Sequence, residues 1–263
     1  MKFLIFGDVV GRPGREAVTQ ALATLREELQ PDVVIVNVEN IAHGKGVSAS
    51  ALEATKDWHA DVLTTGDHAW DNLAELDLLD GRRWPLIRPA NYPVGVPGRG
   101  YHILSLGAWR IAVINLQGQV FFKNDPLNPF LALDELLKKE EISSCHIKLL
   151  DFHVEASSEA RAMGWHADGR LSAVWGTHTH VPTADAQILP QGCGYVTTVG
   201  MNGNYLSVIG ADRSIIRGFL TQIKQKPAME EDGPLEVGGL VLDIDPTTGK
   251  TTHIAIVRKI LNA

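Results

Sequence analysis

Apolar positions along this 263-residue chain fall into short β-rich runs that alternate with helical stripes. Residues 2–6 form a compact apolar run stopped by Gly7, which predicts a first strand. Over residues 16–29, Val18, Leu22, Leu25 and Leu29 recur at helical spacing and predict a helix. Residues 33–38 then predict a strand, 51–58 a helix, 62–65 a third strand and 73–79 a short helix. A Pro- and Gly-rich stretch, 84–100, leads into a hairpin of 103–106 and 110–115 around Gly107. Further on, the pattern predicts a helix over 130–139, a strand over 147–152, a helix over 157–165 and a strand over 173–175. It ends with a helix over 215–222 and a hairpin of 239–244 with 252–257. No repeat, low-complexity tract or linker interrupts it, so the expectation is one α/β domain spanning residues 1–263. The strand–helix alternation loses its regularity past residue 95, which predicts a mixed sheet or two packed sheets.

Composition narrows the classes of partner. Lys and Arg number 24 against 31 Asp and Glu, a formal charge of −7, well mixed along the chain. A nucleic-acid coat or a membrane-surface protein needs a basic face, which this balance argues against. A small phosphate-bearing substrate stays open, because bound metal ions add charge that a sequence count omits. The opening MKFLIFGDVVG is too short in apolar length for a signal segment or membrane span. Cys145 and Cys193 match no metal or redox spacing and read as two reduced thiols, so a cytoplasmic protein is expected.

The chemistry collects at strand ends. Asp8 follows the first predicted strand, Glu39 and Asn40 the second, and Asp67 and His68 the third. His153 follows the strand over 147–152, and His178 and His180 follow the one over 173–175. Carboxyl ends of strands in open α/β sheets converge on one edge, where ligands bind. Oxygen and imidazole donors delivered to that edge by five strands make a metal site. Singly, a carboxylate such as Asp8 is as readily a helix N-cap. Gly7, Gly11 and Gly14 have the wrong spacing for a dinucleotide loop, and no Walker lysine follows them. His178 and His180, as i and i+2 of an extended segment, are expected to face one pocket.

At these residues the chain resembles the YmdB-like family of bacterial calcineurin-type metallophosphoesterases. The likeness runs through GDVVGRPG, VNVENIAHGKG, TTGDHAWDN, DFHVEASSEARAMGWHADGR, VWGTHTHVPTADAQILPQG and VGMNGNYLSVIG, in order and over nearly the full length. The resemblance implies a four-layer αββα sandwich of the calcineurin-like type, with a dinuclear metal centre. It implies phosphodiesterase activity on 2′,3′-cyclic nucleotides, with the 2′ bond cleaved by a metal-bridging hydroxide and a 3′-nucleotide left. Carried over by motif, Asp8, Asn40 and His180 would hold one metal, and Asp67, His153 and His178 the other, with Glu39 bridging. His68 would be the catalytic histidine that binds no metal. Iron or manganese is the expected pair of ions, with zinc, cobalt and magnesium as further candidates.

The chain departs from the family at three places: Asp67 stands where Asn is usual, Ala160 where Lys is, and Thr198 where Asp is. Val10 occupies the place of the histidine that most calcineurin-type enzymes carry in their first motif, which is the family's own pattern. His43 and Lys45 are expected in a solvated loop. His166 is expected to be structural. His59, His102, His146 and His253 are expected to be ordinary, surface or partly buried. Trp70, Phe121 and Phe122 are expected in core packing, although any of them could stack on a base. The implied partner is a small cyclic nucleotide, with no membrane and no stable long nucleic acid, and a homo-oligomer is compatible. Two alternatives stay open: a phosphomonoesterase or phosphoprotein phosphatase on the same centre, and a weakly active nucleotide-sensing protein.

Overall fold

A computed structural model describes residues 1–226 and 228–262. The first half contains β1 (Lys2–Phe6), β2 (Asp8–Val9), α1 (Gly11–Leu29), β3 (Val33–Asn37), α2 (Ala49–Glu53), β4 (Val62–Thr64), α3 (Asp77–Asp80), β5 (Tyr101–Leu106) and β6 (Trp109–Gln117). The second contains α4 (Pro129–Lys138), α5 (Glu140–Ser143), β7 (Ile147–His153), α6 (Ser157–Ala167), β8 (Ala173–Thr177), β9 (Gln187–Ile188), β10 (Gly194–Val196), β11 (Met201–Asn204), α7 (Ile216–Thr221), β12 (Leu235–Asp245) and β13 (Lys250–Leu261).

These strands form two mixed sheets. The first, of seven strands, runs β2-β11-β12-β1-β3-β4, with β13 on β12. The second, of six, runs β5-β6-β7-β8-β10-β9. β1, β3 and β4 are parallel, as are β6, β7, β8 and β10, so within each run the carboxyl ends share an edge.

Alternate residues of each central strand go to different cores, the period of two that a strand dictates. Leu4, Phe6, Val34 and Val36 join Val18, Leu22 and Leu25 of α1. Their neighbours Phe3, Ile5, Val33 and Ile35 join Ile111, Val113, Ile147, Leu149 and Trp175 from the second sheet. Ala112, Ile114, Leu150 and Phe152 join Leu133 and Leu136 of α4 and Met163 of α6. Strands buried on both faces need continuous apolar runs, which is what β1 and β3 carry, while β7 is buried nearly throughout with Lys148 and Asp151 set among its apolar residues. At the carboxyl ends the inter-sheet face turns polar. Asn37, Thr64, Asn115, Asp151 and Thr177 continue the inward parity and are fully buried.

The helix predicted over 16–29 starts earlier, at Gly11, whose positive φ of 60° suits glycine. The region 51–58 is α2 followed by a separate 3-10 turn, Lys56–Trp58. Both hairpins are longer than predicted, while β2, β9, β10 and β11 were not predicted at all. These four have two to four residues each, too few to show a period. Among the described residues, no helix is long and apolar enough to cross a membrane.

Candidate metal centre

Four strand ends build the first cluster. Glu39 lies two residues beyond β3, Asp67 three beyond β4, His153 ends β7 and His178 follows β8. One ligand atom from each of Glu39, Asp67, His153 and His178 lies within 4.8 Å of the others. His153 Nε2 is 2.8 Å from Glu39 Oε2 and 3.2 Å from Asp67 Oδ1. His178 turns its Nδ1 to Asp67 Oδ1 at 3.5 Å and its Nε2 to Glu155 Oε2 at 3.2 Å. The backbone N–H of Glu39 donates to Asn37 Oδ1 at 3.0 Å, fixing the turn that aims the carboxylate. Gly66 leaves the room for this: a Cβ there would lie 1.6 Å from Glu39 Oε2 and 2.3 Å from the His153 ring.

A second group lies alongside. His180 Nε2 is 3.2 Å from Asn40 Oδ1 and 4.0 Å from Asp8 Oδ1. His180 Nδ1 donates to the Ile209 carbonyl at 2.9 Å, and Asn40 Nδ2 donates to the Gly44 carbonyl at 3.0 Å. With those donors committed, the faces left to meet are a nitrogen lone pair, an amide oxygen and a carboxylate. Three acceptors that converge with no proton between them are an arrangement a cation completes. Asp8 ties the groups together, since the His178 backbone N–H donates to its Oδ2 at 3.0 Å.

The expectation that His178 and His180 share an extended segment is not met. Both have positive φ, 96° and 62°, so the chain bends between them. The two imidazoles consequently serve different groups, one beside Asp67 and the other beside Asn40. Positive φ in a non-glycine residue costs free energy, and its clustering at His178, His180 and Ile209 marks a site where the fold imposes the backbone.

Burial sets the electrostatics. Burial pushes the Glu39 carboxyl up to about 8, against the pull of His153. Burial disfavours the His153 imidazolium, but Glu39 and Asp67 outweigh it and hold that ring above its ordinary value. Burial likewise disfavours Asp67 ionisation, but the bond from His153 outweighs it and lowers the carboxyl. His178 falls to about 4, through burial first and the neighbouring His153 second. Glu39 Oε2 is buried and accepts no aligned hydrogen bond, although His153 Nε2 is close. An orphaned carboxylate oxygen among imidazoles and carboxylates fits a divalent ion.

His68 stands beside the clusters. Its Nδ1 is 2.8 Å from Asp71 Oδ2, and its Nε2 is 4.0 Å from Asp67 Oδ2. Asp71, Glu155 and the Ile209 carbonyl were missed in the sequence. Asp71 had a local signal, three residues after His68 in a turn closed by Asp71 N–H to the His68 carbonyl. Phe122 packs on His178 with ring centroids 4.7 Å apart, and Trp70 packs on Tyr92 at 4.3 Å. Phe121 departs from the core expectation: it is 83% exposed, with φ at 70°. His43 and Lys45 are exposed, and His166 pairs with Asp134 at 3.0 Å.

A family model described as YmdB-like protein matches residues 4–257. A Bacillus subtilis protein named 2′,3′-cyclic-nucleotide 2′-phosphodiesterase is 43% identical, over 97% of this chain and 95% of its own length. A crystal structure described as a novel phosphatase from Mycoplasma pneumoniae superposes with a TM-score of 0.91 at 33% identity, covering 100% of this chain and 94% of that one. A Thermus thermophilus structure described as a hypothetical protein gives 0.90 at 36% identity, covering 99% and 100%. With the family model spanning nearly all of it and a relative this similar along its length, this chain belongs to the YmdB-like protein family.

Proposed function

We propose that this chain is a metal-dependent phosphodiesterase that opens 2′,3′-cyclic nucleotides at the 2′ bond and leaves a 3′-nucleotide. The observation that carries the reading is the pair of adjacent donor groups, Glu39–Asp67–His153–His178 and Asp8–Asn40–His180, with the His68 ring beside them and held by Asp71. The name of the Bacillus subtilis relative supports the substrate. Asp8, Asn40 and His180 would hold one ion and Asp67, His153 and His178 a second, with Glu39 between them. Iron or manganese suits this mixture of oxygen and imidazole donors. Bound ions would supply positive charge for the phosphate and an acidified water as nucleophile.

The chain's own residues do the rest. Asp71 accepts from His68 Nδ1, which fixes the ring and leaves Nε2 to face the substrate. His68 would then hand its Nε2 proton to the departing ribose 2′ oxygen. Phe122 walls one side of His178. We further propose one domain over residues 1–263, with the helices as outer layers in a four-layer αββα sandwich, a cytoplasmic location and a small diester as partner.

The test is turnover of 2′,3′-cyclic AMP by metal-loaded protein, with 3′,5′-cyclic AMP as comparator. His68→Ala should lower the rate by roughly 10²–10⁴ while metal content stays unchanged. Equal rates in His68→Ala and wild type would remove His68 from the mechanism, and preference for the 3′,5′ isomer would overturn the substrate.

A further inference from the structure

A buried carboxylate lies beneath the metal centre with no part in the chemistry above. Asp151, on β7, is fully buried between the sheets, two residues before His153 and on the same face. Its Oδ2 accepts from the Thr64 hydroxyl and from Asn37 Nδ2, the latter at 3.2 Å. Its Oδ1 accepts from the Thr177 hydroxyl at 2.7 Å. The Thr177 oxygen in turn lies 3.0 Å from His153 Nδ1. β3 and β4 of one sheet therefore supply Asn37 and Thr64, while β7 and β8 of the other supply Asp151 and Thr177.

The protons in this chain of contacts run in one direction. A hydroxyl has one proton, and Thr177 directs its own at Asp151. What Thr177 offers His153 is a lone pair, so Nδ1 must carry the hydrogen. Nε2, the nitrogen that faces Glu39 and Asp67, is then the one left to bind a cation. Asn37 holds the arrangement in register, because its Oδ1 takes the Glu39 backbone N–H while its Nδ2 serves Asp151.

We propose that Asp151, acting through the Thr177 hydroxyl, is the positioning residue that sets the tautomer and aim of His153. It touches neither substrate nor ion, and the proposal rests on the metal-centre reading above. Histidine ligands elsewhere are oriented in the same way by an acceptor on their second nitrogen, and loss of that acceptor weakens metal binding by roughly 10–100-fold. Here the acceptor is a hydroxyl backed by a carboxylate, and the device bridges the two sheets.

The experiment titrates zinc, a diamagnetic probe, against a chromophoric chelator for wild type, Thr177→Val, Thr177→Ser and Asp151→Asn. Unfolding midpoints of the metal-free proteins show which variants fold. Thr177→Val should bind zinc roughly 10–100-fold more weakly, and Thr177→Ser, which keeps the hydroxyl, should stay near wild type. In zinc-loaded, ¹⁵N-histidine-labelled protein, the His153 Nδ1–H should exchange slowly in wild type and Thr177→Ser, and rapidly in Thr177→Val. Asp151→Asn should weaken zinc as well, because an amide cannot accept from all three donors at once. Wild-type zinc affinity in a folded Thr177→Val or Asp151→Asn overturns the proposal. A wild type that binds no zinc, iron or manganese overturns the metal centre itself, so the two failures are distinct.

Discussion

Gly66 shows how little room the centre has. With no Cβ, it leaves free the space that Glu39 Oε2 and the His153 ring take up, and any Cβ would overlap both. Gly66→Ala should therefore displace Glu39 or His153 and weaken metal binding at least ~10-fold, read as metal content after dialysis. A fully loaded variant would show that neither side chain holds metal. Asp67 sets the charge. With Asp8 and Glu39 it gives three carboxylates, which would leave about one positive charge if two divalent ions were bound. Asp67→Asn makes the site more positive, so a bound water ionises more readily. The pH–rate profile of that variant should move to lower pH by roughly one unit, with higher turnover at neutral pH. Superimposable profiles for the two proteins would contradict this.

At the scale of elements, the site depends on how closely α1 approaches β11. A Cβ on Gly14 would lie 2.4 Å from the Asn202 carbonyl oxygen, so this glycine lets the first turn of α1 press on the strand. Asn202 also donates to the Gly7 carbonyl at 2.9 Å, next to Asp8. Gly14→Ala should cost about 1–3 kcal/mol of stability in urea unfolding and loosen the Asp8 end of the site more than the His153 end. A variant as stable as wild type would show that α1 can shift without strain. The longer elements were legible in the sequence because burial on two faces imprints itself on β1, β3 and β7, and one buried stripe on α1. The strands β2, β9, β10 and β11 were not, since two to four residues carry no period.

Across the whole molecule, two sheets built from distant segments bring seven donor side chains to one place. The residues that begin with a strong side-chain signal, Asp8, Glu39, Asp67, His153, His178 and His180, were legible because each follows an apolar run. The residues that orient them were not. Asp151 reads as an ordinary strand position, Thr177 falls just past the predicted strand of 173–175, and the Ile209 carbonyl that meets His180 has no side-chain signature. Only the packing of one sheet on the other shows that Thr64 and Asn37 reach Asp151. The bend at His178 and His180 was equally hidden, because a His-Thr-His segment reads as extended until its φ angles are known.

The most direct measurement is the rate of 2′,3′-cyclic AMP hydrolysis by one preparation before chelation, after complete removal of metal, and after iron or manganese is restored. The account predicts loss of turnover with the metal, return of turnover with the ion, and a 3′-nucleotide as product. Hydrolysis that survives removal of all metal, or full metal occupancy with no hydrolysis, would contradict it.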